Sequence, residues 1–348
     1  MFDEYEIKRT EKNIYEGIKN NFDALAKPID SLGEFEELIA GIGAIQGKLI
    51  PKIDRKALII MCADNGIVRE GVTQTDSSVT LSVARSMAEG KSPVCRMANI
   101  IGVDTIPVDI GMDCDEVIHG IKTKKIKKGT KDFYVSPAMT GEEALAAIRT
   151  GIELVKSSSV KYDILALGEM GIGNTTTSSA VCAALFNMDA AEVTGRGAGL
   201  SDEGLKRKIS VINESVKKYD LYGASPLEVL SKVGGLDIAG LVGLCIGGAI
   251  YRIPVILDGF ISLTAAAIAV RMRPEVRDYL IPSHRGKEKG CELLLKDLSF
   301  KPVIDAGLAL GEGTGAVMLI PLLETALSVY RDGTSFEDIN VKKYERFV

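Results

Sequence analysis

The sequence predicts an α/β fold: a mostly parallel sheet flanked by helices, with a small helical lobe. Two observations carry this. Short apolar runs alternate with segments of helical periodicity along most of the chain. Most of those runs end in an acid, or in an acid beside glycine, where a parallel sheet presents its carboxyl edge to ligands. Helical patterns occupy the first 50 residues before any strand. Residues 1–50 are therefore assigned to the lobe, with the C-terminal segment 330–348 a candidate to join it, and residues 51–330 to the core.

Taken in order, Tyr5, Ile7, Ile14, Ile18, Phe22 and Leu25 recur at helical spacing over residues 4–25. Pro28 stops that helix, because it lacks an amide donor and disfavours helix in the residue before it. Ser31, with Glu34 three residues on, is patterned as a capping box for a second helix through Leu38 and Ile42. Six apolar runs follow. Residues 57–63 end in Asp64-Asn65-Gly66, and residues 105–108 end in Asp109-Ile110-Gly111, with Pro107 marking an edge or irregular strand. Residues 164–167 end in Gly168-Glu169, and residues 253–257 in Asp258-Gly259. Residues 279–281 end in Pro282-Ser283-His284, and residues 302–310 in Gly311-Glu312. Helical patterns fill intervals at 77–89, 141–156, 178–186, 201–219 and 237–251. The uncharged run 238–251 is shorter than the ~20 residues of a membrane span, so it reads as a buried helix. Lys122, Lys124, Lys125, Lys127, Lys128 and Lys131 form a basic patch, read as a solvated strand or hairpin.

Composition removes several classes of function. A net charge of −5 argues against nucleic acid as a main partner, because neutralising phosphates needs a basic face. It leaves room for a small phosphorylated ligand. Six scattered cysteines with no Cys-x-x-Cys pair, and only His119 and His284, argue against a structural zinc site; they read as reduced thiols in a cytoplasmic protein. The N-terminus is acidic and has no apolar signal core.

The stretch from Asp163 to Thr177 joins a buried strand, a turn with Gly168, Gly171 and Gly173, and a polar helix start at Asn174-Thr175-Thr176. Such a unit suits an anion. It is neither a Walker A loop nor a dinucleotide fingerprint. Glu169 is out of place in a phosphate cradle, which suggests chemistry as well as binding. The stretch has an echo: Ala166-Leu167-Gly168-Glu169 recurs as Ala309-Leu310-Gly311-Glu312. Each glutamate either caps the following helix or, beside an apolar pocket, has its pKa raised and acts as a general base. Two such turns, each in a dense glycine cluster, favour chemistry. A second glycine-rich loop, Thr194–Gly199, enters a helix capped by Ser201. Its Lys206, Arg207 and Lys208 either reach a phosphate or form a charged surface. His284 lacks a nucleophile with an orienting acid and is read as structural or peripheral.

Together these motifs resemble those of the nicotinate-nucleotide:dimethylbenzimidazole phosphoribosyltransferase (CobT) family, almost end to end. The carriers are Leu25-Ala26-Lys27-Pro28 with Ser31-Leu32-Gly33, Ala63-Asp64-Asn65-Gly66, Glu70-Gly71-Val72, Lys128-Gly129-Thr130 and Gly168 through Thr176. They continue in Thr194-Gly195-Arg196-Gly197, Gly234 through Gly240, Asp258-Gly259-Phe260, Ser283-His284 and Leu310 through Gly315.

The resemblance implies a Rossmann-like core, a homodimer and no metal or bound redox cofactor. It implies transfer of the phosphoribosyl group of nicotinate mononucleotide to a benzimidazole-type base, with nicotinate leaving, in cobalamin assembly. Glu312 matches the family's catalytic glutamate and Glu169 a second active-site glutamate near the ribose. Phosphate and ribose fall to Gly171, Ile172, Gly173, Asn174, Thr175, Thr176, Gly197 and Lys208. By position, Val72, Thr75, Met170 and Leu310 are candidates for an apolar slot holding the base. Two departures, Asn65 where histidine is common and Ile29-Asp30 where Pro-Gly is common, bear on which base is accepted. The competing readings are a non-catalytic nucleotide or corrinoid-precursor sensor on the same fold, and a nicotinamide-dependent oxidoreductase. The sensor should have lost a catalytic carboxylate, and the oxidoreductase lacks a dinucleotide loop.

Overall fold

In the computed structural model, which describes residue 2 and residues 4–346, the apolar runs assemble into one six-stranded parallel sheet. Its strands are β1 (Lys56–Ala63), β2 (Asp104–Gly111), β3 (Lys122–Thr123), β4 (Ile164–Met170), β5 (Val255–Leu257) and β6 (Leu280–Pro282). The helices are α1 (Lys12–Ala24), α2 (Glu34–Gln46), α3 (Ser78–Ala88), α4 (Pro93–Ile100), α5 (Gly141–Ser159), α6 (Asn174–Leu185) and α7 (Ala190–Val193). They continue as α8 (Asp202–Lys218), α9 (Pro226–Val233), α10 (Leu236–Ile250), α11 (Phe260–Met272), α12 (Lys289–Asp297) and α13 (Thr314–Asp332). Met1, Asp3, Phe347 and Val348 lie outside the described residues, so the acidic N-terminal run and the C-terminal segment 330–348 are covered in part.

Strand β1 sets the layers. Alternate side chains of a strand point to opposite faces. Ala57, Ile59, Met61 and Ala63 pack against α5, α6 and α8–α12, while Leu58, Ile60 and Cys62 pack toward α1–α4 and α13. With both faces covered, β1 and β4 are continuous apolar runs rather than alternating ones. The order β3-β2-β1-β4-β5-β6 makes the sheet doubly wound, and its direction of growth reverses between β1 and β4.

The expectations hold for five of the six runs. Pro107 lies where β2 is an edge, because β3 pairs only with Val108 and Asp109. Residues 302–310 are a correction: they form no strand, only one bridge from Ile304 to His284. Pro302 has no amide to give a ladder, and Gly307 turns left-handed at φ +64° in an exposed bend. The sixth strand is instead β3, a two-residue edge inside the lysine patch.

Three boundaries also differ. Helix α1 begins at Lys12, not at residue 4, because the preceding carbonyls are engaged outside any helix: Arg273 donates to the Phe2 and Tyr5 carbonyls and Tyr279 to that of Lys8. Ser31 and Glu34 make no capping box. The N-cap of α2 is Gly33 at φ +56°, and Glu36 accepts from the Leu32 amide and Lys27 instead. Helix α6 starts at Asn174 rather than Ser178, which puts the threonines in its first turns. Helices α1 and α2 pair with each other. Ile18, Phe22 and Ile39 share a core layer with Leu58 and Ile60, and the chain end returns to them through a Leu25–Ser335 bridge.

Candidate active site

The crevice at the reversal of strand order lies between the ends of β1 and β4, in register at Met61–Glu169 and Cys62–Met170. This is where a doubly wound sheet binds ligands. Gly171 lets the β4–α6 turn close onto it: a Cβ there would overlap the Ala63 carbonyl and fall 2.8 Å from Asp237 Oδ2. Gly173 caps α6 at φ +94°, a conformation that favours glycine. The turn aims the Asn174 side chain inward, where its amide donates to the Glu169 carboxylate.

Glu169 is buried, with 7% of its surface exposed. Burial, then the nearby charges of Asp237 and Asp258, push its pKa up to about 8, against the Asn174 amide and the Glu312 main-chain N–H. Asp237, in the first turn of α10, is fully buried, and burial pushes it up to about 7.

Glu312 occupies an unusual turn. Gly311, Glu312 and Gly313 run at φ +82°, +61° and +97°, so a non-glycine residue is held left-handed between two glycines. Asp258, just after β5, fastens that turn by accepting from the amides of Gly313 (3.1 Å), Gly315 (2.7 Å) and Ala316 (3.3 Å) at the start of α13. The Glu312 carboxylate then meets the N-terminus of α4, where the Val94 amide donates to it at 3.3 Å and Ser92 lies beside it. Burial raises its pKa above the ordinary carboxylate value, and those two donors oppose the rise. The echoing glutamates thus meet through the main chain, while their carboxylates face different partners.

Three of the residues expected at the phosphate come together. Lys208, 1% exposed on α8, donates to Thr175 Oγ1 at 2.9 Å. Gly197, at φ +55°, lies over both: a Cβ would stand 2.9 Å from Thr175 Oγ1 and 3.6 Å from Lys208 Nζ. Burial lowers the Lys208 pKa to about 8. Lys208 is therefore not part of a charged surface. The rest of the loop differs from a free backbone cradle, because its tight turn uses its own donors. The Ile172 amide donates to Thr80, that of Asn174 to Gly171, and that of Thr176 to Gly173. Thr176 is fully buried with an unpaired hydroxyl.

The four residues expected to line an apolar slot are dispersed within the chain. Val72 packs into the core layer on one face of the sheet and Met170 against the layer on the other. Thr75 lies on an exposed loop, and Leu310 is 54% exposed. Asn65, one of the two departures, is buried, donates to the Ile172 carbonyl and flanks Asp237.

The sequence reading assigns none of Asp258, Ser283, His284 and Glu288 to the site, and takes His284 as structural or peripheral. Asp258, His284 and Glu288 line one cleft with Gly168, Glu169 and Gly311. His284 Nδ1 lies 2.9 Å from Ser283 Oγ and 4.0 Å from Asp258, and burial lowers its pKa. The signal for Asp258 was present, an acid before glycine at the end of a strand. His284 follows a strand run with no nucleophile and orienting acid beside it in sequence, and joins the site by packing beneath Gly315. A roomier cavity of about 500 Å³, between α2 and the start of β6, has none of the acids at the carboxyl ends of the strands. Among the described residues, no three of His, Cys, Asp and Glu are grouped to hold a metal.

The model of a phosphoribosyltransferase family matches residues 7–341. The chain is 44% identical over 329 residues to the nicotinate-nucleotide–dimethylbenzimidazole phosphoribosyltransferase of Acetivibrio thermocellus, covering 94% of each. Over 340 residues it is 40% identical to the enzyme of that name from Clostridium acetobutylicum, covering 97% of each. The crystal structure of CobT from Thermus thermophilus superimposes with a TM-score of 0.90 at 33% identity, covering 95% of this chain and all of that one.

Proposed function

The chain belongs to the nicotinate-nucleotide–dimethylbenzimidazole phosphoribosyltransferase family, and from that premise we propose how its residues divide the reaction. It is a pentosyltransferase that moves the phosphoribosyl group of nicotinate mononucleotide to dimethylbenzimidazole in cobalamin assembly. One azole nitrogen attacks the anomeric carbon, and the bond from that carbon to the pyridinium nitrogen breaks. The bonding pair leaves with nicotinate. The other azole nitrogen loses its proton.

Glu312 takes that proton. The observation that carries this is its turn: three successive left-handed residues, fastened by Asp258, hold a carboxylate whose basicity burial has raised. Glu169 faces the ribose, where its charge offsets the positive charge gathering on the sugar. Lys208 and Thr175, with Gly197 leaving them room, take the phosphate. The ring of nicotinate needs little acid help to leave, because its nitrogen is already cationic. Val72, Thr75, Met170 and Leu310 remain the proposed contacts of the base. The exposure of Leu310, with Met318 and Leu322 on α13, supports a homodimer in which a second copy covers this rim. Six unpaired thiols support a cytoplasmic setting, and no helix among the described residues is long and apolar enough to cross a membrane.

The test is a mixing experiment. Protein with nicotinate mononucleotide and dimethylbenzimidazole should yield nicotinate and α-ribazole 5′-phosphate, and a panel of benzimidazoles, purines and phenols should rank the accepted bases. No product with any of them would sink the assignment.

Lys208 supplies a separate expectation. Lys208→Met should raise KM for nicotinate mononucleotide about 10–100-fold, the cost of a lost charged hydrogen bond, with kcat far less affected. In the free enzyme its ammonium deprotonates as pH rises through about 8. Nucleotide affinity should therefore fall above that pH, and Lys208→Arg, which stays charged, should flatten the fall.

A further inference from the structure

Asp237 is a fully buried acid beside the crevice that the transfer as described does not use. Its Oδ1 accepts from the Ile238 amide at 3.0 Å. Its Oδ2 has no hydrogen-bond partner, and neither has Asn65 Oδ1 in the same buried cluster. The Asn174 amide donates to Glu169 on one side and flanks Asp237 on the other.

We propose that Asp237 is a positioning residue for the transfer, sharing one proton with Glu169 across the Asn174 amide, and that this proton leaves for solvent when nicotinate mononucleotide brings its cationic pyridinium and ribose to Glu169. The inference rests on the reading that places the ribose beside Glu169.

Two orphaned buried acceptors, Asp237 Oδ2 and Asn65 Oδ1, lack a donor, and a proton on Asp237 supplies one. Two buried carboxylates flanking one amide do not both ionise cheaply, so they titrate as a pair. Groups from several elements face the pair. Asp258, from the end of β5, adds negative charge; Glu312, from the turn before α13, offers its main-chain N–H and opposes the conflict; Cys62 of β1 is a neutral thiol, and Glu288 and His284 from beyond β6 line the same cleft. His284 is the only one able to become cationic, and burial opposes that. The substrate's positive charge is the missing counterion. On binding, no bond of the substrate changes; the proton goes from the pair to buffer, and Glu169 is left ionised against the sugar.

Calorimetry of the full-length enzyme with nicotinate mononucleotide alone, at pH 7 in buffers of different ionisation enthalpy, counts the released protons. The wild type should release about one proton per site, as a coupled pair sharing one proton predicts. The release should shrink as pH rises through about 8, where Glu169 is already ionised. Asp237→Asn should bind the nucleotide yet release measurably fewer protons than the wild type, because the Asp237 charge that adds to burial in holding the Glu169 proton is gone. The comparison also removes the small exchange at the phosphate and Lys208. Glu169→Gln should abolish the difference, and it stands in should the Asp237 variant not fold. Normal nucleotide heat with no proton release from the wild type, or full release from Asp237→Asn, would overturn the inference while leaving the site assignment intact. No nucleotide heat from the wild type would overturn both.

Discussion

Glu312→Gln should cut turnover by ~10²–10⁴-fold, the usual cost of losing a positioned proton acceptor, while the dissociation constant of nicotinate mononucleotide changes less than tenfold. The separation follows from geometry. The side-chain amide oxygen of the variant still accepts from the Val94 amide, and the backbone of the turn is unchanged, so Asp258 still fastens the start of α13. The phosphate contacts proposed for Lys208 and Thr175 belong to other elements, α8 and α6. What the amide cannot do is take a proton from the azole. Turnover measured at saturating nucleotide and base, with nucleotide binding measured independently, checks both halves. Near-normal turnover would pass the role of base to Glu169, whose pKa of about 8 suits proton transfer near neutrality. Loss of binding in step with turnover would mean that the turn itself had collapsed.

The sheet was legible where burial on both faces writes a continuous apolar run. Ile164 to Leu167 and Ala57 to Ala63 could hardly be anything else at their length. It was illegible where pairing depends on neighbours. Val303, Ile304 and Leu308 mimic a strand, yet only Ile304 finds a partner, while Lys122-Thr123 becomes β3 with no apolar residue at all. The two glutamate turns could be read because glycine spacing is local. Their division of labour could not. The Asn174 side chain turns toward Glu169 because Gly171 closes the loop onto Ala63, and Asp237 arrives from a helix that reads as core. Lys208 showed only a charged neighbourhood; its burial against Thr175 is a tertiary fact. Asp258 was one of several strand-end acids, and nothing in the pattern said that it would hold three amides at the start of α13.

Gly168→Ala should lower both stability and turnover, and the structure says where the damage goes. A Cβ on Gly168 would fall well inside 3.0 Å of the Glu312 carbonyl oxygen and 3.2 Å from Ile60 Cγ1. The first of these is main chain and cannot rotate away. Either β4 or the 311–313 turn must move. Strand β4 is hydrogen-bonded to β1 on one side and β5 on the other, so displacing it breaks two ladders. The turn is held by side-chain contacts and gives first, carrying Glu312 with it. A shift of about 1 Å at a reacting group costs on the order of 10²-fold in rate, and overpacking of this kind costs about 1–3 kcal/mol in stability. Nucleotide affinity should be spared relative to turnover, since Lys208 and Thr175 do not touch Gly168. Gly41→Ala is the matched comparison. That residue lies inside α2 with nothing within 4 Å of a new Cβ, so the change should stabilise by roughly 0.5–1 kcal/mol and leave turnover alone. Denaturant unfolding and saturating kinetics on the two variants decide the matter. Full turnover in Gly168→Ala would show that the Glu312 turn tolerates displacement, and the placement of the base would then depend less on the β4 backbone than its contact with Gly168 implies.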